Sequence, residues 1–157
     1  MTQPVNISVA VLALCLCSTA LAGCNRDEAP TFVPESGYWS YVETMVVSNS
    51  CDANLVPDPP SSFLLSYGGG NSFQVEVSEQ DVYCDIDGAV FDCGNYTTTG
   101  TFGEVDLTWT VTWEGEFSSE SEAEGTETTR VTCAGDACVL LDNLPCSITV
   151  TFEAAEI

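Results

Sequence analysis

From Gly37 onward the chain alternates apolar and polar residues with period two, and no stretch carries apolar residues at helical spacing. The clearest case closes the chain: Cys146, Ile148, Val150, Phe152 and Ala154 share one parity, and Ser147, Thr149, Thr151 and Glu153 the other. Val105, Leu107, Trp109, Val111 and Trp113 alternate in the same way with Asp106, three threonines and Glu114. Such strands bury one face and wet the other, as in antiparallel sheets. Trp39, Tyr41, Met45 and Val47 share a parity in the first strand, and Pro57, Pro59 and Pro60 mark residues 52–61 as a loop. Phe63, Leu65 and Tyr67 face Phe73, Val75 and Val77 across a turn at Gly68–Asn71. The expected fold class is all-β, an antiparallel meander.

The residues before this pattern are of another kind. Ile7 to Ala22 form an apolar run of the length of a secretory h-region, too short for a comfortable membrane span. It ends in Leu21-Ala22-Gly23-Cys24, which resembles the lipobox of bacterial lipoproteins. That resemblance implies removal of residues 1–23 and attachment of diacylglycerol to the Cys24 thiol. Two or three acyl chains hold a protein at a membrane firmly, since each buried methylene contributes about 0.8 kcal/mol. Asn25 stands where an aspartate favours inner-membrane retention in those lipoproteins, so the resemblance points to the outer membrane of a bacterial envelope. Residues 24–36, polar and with two prolines, read as a tether, and 37–157 as the domain.

This division settles the cysteines. Of nine, Cys15 and Cys17 leave with the signal segment and Cys24 takes the lipid. Six remain, an even set that reads as three disulfides in an exported domain. Zinc is disfavoured, because the chain has no histidine and no C-x-x-C pair. A two-residue turn at Gly88-Ala89 sets Cys84 opposite Cys93 and Ile86 opposite Phe91; a turn at Asp87-Gly88 would set Cys84 opposite Phe91. Cys133 and Cys138 would close a four-residue loop at the tip of another hairpin. Cys51, ending the first strand, is left for Cys146, opening the last. That bridge pairs first strand with last and places Met45 opposite Phe152 and Val47 opposite Val150.

First-to-last pairing closes a small barrel of eight to ten strands and removes exposed edges. A simple meander closes with an even count, whereas nine candidates are visible. A short strand at Cys138–Leu141 would make ten, and fusing residues 72–86 into one bent strand would make eight. An open two-sheet sandwich is the alternative.

Charge narrows the partners. Asp and Glu number 24 against two arginines, Arg26 and Arg130, for a net charge of -22. Such a chain repels nucleic acid and anionic lipid surfaces. Glu114, Glu116, Glu120, Glu122, Glu124 and Glu127 crowd one hairpin. A turn at Ala123-Glu124-Gly125 would put Glu116, Glu120 and Glu122 on the outer face and Arg130 opposite Ser118. The face reads as a solvated, charge-repelling surface, because the spacing matches no compact calcium loop. The lack of histidine excludes the usual triad and the Cys-His pair, and the lack of lysine excludes Schiff-base chemistry. A carboxylate pair suited to glycoside cleavage does not stand out among so many acids. No catalytic residue, metal or cofactor is expected.

Gly37-Tyr38-Trp39 resembles the G-x-W opening of lipocalins, some of which are lipid-anchored. The resemblance implies a calycin-like barrel whose tryptophan closes the base and packs on a late-strand arginine, here Arg130, and whose interior takes a small apolar ligand. Trp39, Trp109 and Trp113 are then the candidate lining residues. Arg130, however, has the parity opposite to Val131 and Cys133, and no Thr-Asp-Tyr counterpart is present. The same tryptophans, with Phe91 and Phe152, are bulky enough to fill a small barrel instead. The function expected is a non-enzymatic, membrane-anchored lipoprotein with a structural or interaction role toward the envelope. A lipocalin-like binder of a small apolar ligand is the alternative.

Overall fold

Nine antiparallel strands follow one another along the chain in a computed structural model that describes residues 32–157. The apolar run, Cys24 and residues 25–31 lie outside the described residues. The strands are β1 (Gly37–Asn49), β2 (Ser62–Tyr67), β3 (Ser72–Val77), β4 (Gln80–Asp87), β5 (Val90–Cys93), β6 (Tyr96–Phe102), β7 (Val105–Ser119), β8 (Glu122–Ala134) and β9 (Cys146–Glu156). Successive strands pair throughout except β5 with β6, and β1 pairs with β9.

The odd strand count is resolved by β7. Its late residues Glu114–Glu116 pair with β5, and its early residues Val105–Val111 pair with β6. The hydrogen-bonded ring therefore runs β1-β2-β3-β4-β5-β7-β8-β9 and back to β1, and β6 hangs outside it. Neither expected repair occurs. Asp136–Leu140 is a 3-10 turn, and residues 72–86 form two strands. A β5 of only four residues cannot cover the fifteen of β7, so the remainder takes β6 as its neighbour.

Strand length divides the molecule into two parts. β2–β5 are short and wall only one end of the ring. β1, β9, β8 and β7 run on beyond them as an open sheet that carries β6. The walled end encloses the larger core, which includes Trp39, Phe73, Phe91, Phe117 and Phe152. The smaller core lies where the 51–61 loop folds over the open sheet, with Leu55 buried among Val105, Leu107 and Val131. Cys51–Cys146 ties that loop to the sheet, and Cys84–Cys93 and Cys133–Cys138 complete the expected pairing. Cys84 faces Cys93 and Ile86 faces Phe91, with Gly88 at φ 67° opening the two-residue turn. That left-handed conformation is open to glycine at little steric cost.

Two registers differ from expectation. Met45 pairs with Thr151 rather than Phe152, and Val46, not Val47, stands opposite Val150. Register shifts between Glu43 and Met45 and between Val46 and Ser48 break the parity. Beyond Tyr41, β1 also has no β2 neighbour beside it, and its side chains from Val42 onward are exposed. The β7–β8 turn falls at Glu120-Ser121, ahead of the expected Ala123-Glu124-Gly125. Arg130 consequently stands opposite Thr110 and Ser147, not Ser118, and Glu116 faces Glu124.

The earlier turn leaves Gly115 and Gly125 as direct partners with inward parity. A Cβ at Gly125 would meet the Glu114 carbonyl, Gly115 Cα and the Phe152 ring, and one at Gly115 would meet the Glu124 carbonyl and the Phe91 ring. Two large rings fit inside a narrow ring of strands because two side chains are missing beneath them. Gly125→Ala is expected to destabilise by about 1–3 kcal/mol through overpacking against backbone. Gly68→Ala, in the open turn between β2 and β3, has space around it and no left-handed φ and serves as the comparison in urea unfolding. Equal midpoints would refute the packing argument.

The end of the expected tether belongs to the fold. Phe32 packs on the larger core and Pro34 is fully buried. The Glu35 N–H donates to the Glu120 carbonyl, and the Tyr67 N–H donates to Ser36 Oγ.

Candidate functional site

Between the two cores the inner face of the sheet carries a polar group. Glu127, on β8, has the inward parity of Ala123, Val131 and Cys133 and is only 8% exposed. Its Oε2 accepts hydrogen bonds from the Tyr41 hydroxyl at 2.6 Å and from Trp113 Nε1 at 2.7 Å. Its Oε1 accepts from Thr129 Oγ1 at 3.0 Å. β1, β7 and β8 thus converge on one carboxylate. An ionised carboxylate is an acceptor only, and three donors meet it here. Burial first, and the Glu127 charge second, push the Tyr41 phenol well above the usual tyrosine range, so it stays a donor.

Tyr41 also stacks on Phe152 with ring centroids 5.1 Å apart, and Trp113 on Tyr96 at 6.2 Å. The donors are held by packing as well as by their hydrogen bonds. No buried side-chain nitrogen or oxygen among the described residues lacks a partner. Three of the carboxylate's roughly four acceptor positions are thus engaged.

Glu43 shares the inward side of β1 with Tyr41, at the more open end of the cluster. Partial burial first, and the Glu127 charge second, raise its carboxyl pKa above the usual carboxylate value. A carboxyl raised in the folded state holds its proton more tightly there than in the unfolded chain. Its stabilising contribution is present at low pH and is lost as pH rises from the ordinary value through the raised one. Glu43→Gln is therefore expected to be more stable than the native chain at pH 7, with the difference shrinking toward pH 4. Urea midpoints of both proteins across that range provide the measurement. A difference independent of pH would refute the assignment.

The three tryptophans named from sequence have different surroundings. Trp39 is fully buried at the walled end, against Phe63 and Phe117, and its Nε1 donates to the Glu35 carbonyl at 3.0 Å. Arg130 is exposed and does not serve as its partner: Trp39 is level with Glu156 and Ala155 with Glu122, eight residues before Arg130 on β8. Trp113 joins the Glu127 cluster. Trp109 is half-buried in the smaller core, where its Nε1 donates to the Leu55 carbonyl at 2.6 Å. Trp39 and Trp113 line a wholly apolar internal space of about 40 Å³, together with Phe73, Phe91, Phe117 and Phe152. Ligand pockets typically measure about 300–1,000 Å³.

Sequence reasoning placed Glu127 with the surface glutamates of its hairpin. The missed signal was parity: Glu127 and Thr129 lie two and one steps of period two before Val131, which was read as inward. No group of three or more potential metal ligands occurs among the described residues. No protein-family model matches the chain, and no match is found among curated proteins or solved structures.

Proposed function

We propose that this chain is a lipid-anchored lipoprotein of the bacterial cell envelope, whose acidic, closed β domain has a structural or interaction role and no catalytic one. The observation that carries the reading is the cysteine pairing. All six cysteines of the domain bond to one another, so Cys24 is the thiol left in the chain once residues 1–23 are removed at the lipobox-like tetrad. A reactive cysteine beside an exported disulfide-bonded domain would be prone to exchange, and alkylation removes that hazard. The aromatic filling of the interior and the enclosure of Glu127 by three donors support a role played by the outer surface. Binding of a small apolar ligand, the alternative, would require the inward rings to move apart.

Labelling with a clickable fatty acid tests the anchor. The native chain is expected to take the label and sediment with membranes, and Cys24→Ser is expected to do neither. An unlabelled native chain would refute the reading.

A further inference from the structure

We propose that the free edge of β1, Val42–Asn49, is a strand-addition site for an extended cationic segment of another protein. The inference rests on the interaction role proposed above and gives it a surface. β2 pairs only with Gly37–Ser40, and the Tyr41 N–H takes the Ser61 carbonyl. From Val42 onward β1 has β9 on one side and no described strand on the other. One row of its backbone donors and acceptors is therefore open to pairing.

Edges of this kind are usually blunted by lysine, proline, inward charge or a bulge; β1 has the inward Glu43 and two register shifts but no lysine or proline along Val42–Asn49. Thr44 to Ser50 contains no charged residue, proline or glycine. Instead it exposes Met45, Val46 and Val47 at 60%, 57% and 55%, with Val42 beside them at 56%. The free edge of β6 presents Thr97, Thr99 and Thr101 and has no such apolar row. Strand addition uses these two features together: backbone hydrogen bonds hold the guest, and side-chain contacts select it.

Charge selects the occupant. Val42 pairs with Glu153, which pairs with Glu124, so acid flanks the apolar edge on the outer face. Ser40 and Val42 share a shallow groove with Glu122, Glu124 and Glu153. Glu43 adds a carboxylate on the edge itself, in a chain of net charge -22. A guest strand of alternating apolar and basic residues matches both faces, and its arrival is steered by the field. A second copy brings the same negative charge. The two register shifts also coil the edge, which a short flexible peptide can follow more readily than a rigid second edge.

The test uses the full chain in detergent and a fluorescent peptide of alternating lysine and valine. Two control peptides carry glutamate in place of lysine, or methyl groups on alternate backbone amides. The lysine peptide is expected to bind, and each control to bind about tenfold or more weakly. Met45→Lys with Val47→Lys, which blunts the edge, is expected to weaken binding to a similar degree with its melting temperature retained. Equal binding of the N-methylated peptide would reduce the interaction to charge alone and overturn the proposal. So would absence of binding, or a dimer of the full chain that the lysine variant dissolves. Fatty-acid labelling of Cys24 is unaffected by any of these results, so failure of the anchor and failure of the edge are read separately.

Discussion

Glu127→Ala is expected to cost about 3–5 kcal/mol, because it strands three buried donors around an empty centre. The Tyr41 hydroxyl, Trp113 Nε1 and Thr129 Oγ1 each aim at this carboxylate. A buried polar group without its partner costs roughly 1–3 kcal/mol, and the three losses do not simply add because water can enter the gap. Glu127→Gln keeps one carbonyl acceptor but turns an NH₂ group toward a donor, and is expected to lose about 1–3 kcal/mol. Set against a domain stability of roughly 5–15 kcal/mol, the alanine variant would be near its unfolding threshold. Urea denaturation at pH 7 gives both values. A loss below about 1 kcal/mol for alanine would mean that the cluster is not the junction between the two cores. A triple change of Glu127→Leu, Tyr41→Phe and Trp113→Phe removes acceptor and two donors together, and is expected to recover much of the loss.

Removing the Cys51–Cys146 bridge is expected to have an effect of similar size for a different reason. Its partners are 95 residues apart. Chain-entropy arithmetic assigns about 4–5 kcal/mol to a loop of that length. The Cys84–Cys93 and Cys133–Cys138 bridges span nine and five residues, for which the same arithmetic gives roughly 2–3 kcal/mol. Cys51→Ser with Cys146→Ser should therefore lower the urea midpoint more than either local pair of serine substitutions. The long bridge also pins the 51–61 loop over Leu55, Leu107 and Val131, so its loss should redden the emission of Trp109, whose Nε1 is tied to Leu55. Equal effects from all three pairs would show that loop length is not what governs their contribution.

The reach of the sequence in this chain follows the reach of its pattern. Period-two alternation located the strands, and the cysteine arithmetic located the closure, because each rule operates within one strand or one loop. What escaped was set by relations among strands. β1 loses its parity where β2 no longer stands beside it, and nothing in Val42–Ser48 itself announces that the neighbour has ended. β7 changes partner from β6 to β5 partway along an unbroken alternation. The β7–β8 turn is governed by the fit of Phe91 and Phe152 over Gly115 and Gly125, so the glycine that looked like a turn residue is a packing residue. Glu127 was legible by parity and obscured by its company, since five neighbouring glutamates drew the reading toward the surface.

The pairing of β1 with β9 also fixes a timetable. A chain that emerges N-terminus first into an oxidising compartment presents β1 first and β9 last, with 95 residues between Cys51 and Cys146. During that interval Cys84–Cys93 and Cys133–Cys138 can form from neighbours already present, whereas Cys51 must wait. Long-range pairing is slow because loop closure precedes any reward from contact. Completion of the fold is thus deferred to the final strand, and a chain interrupted between Cys51 and Cys146 is left with Cys51 unmatched, an obvious mark for quality control.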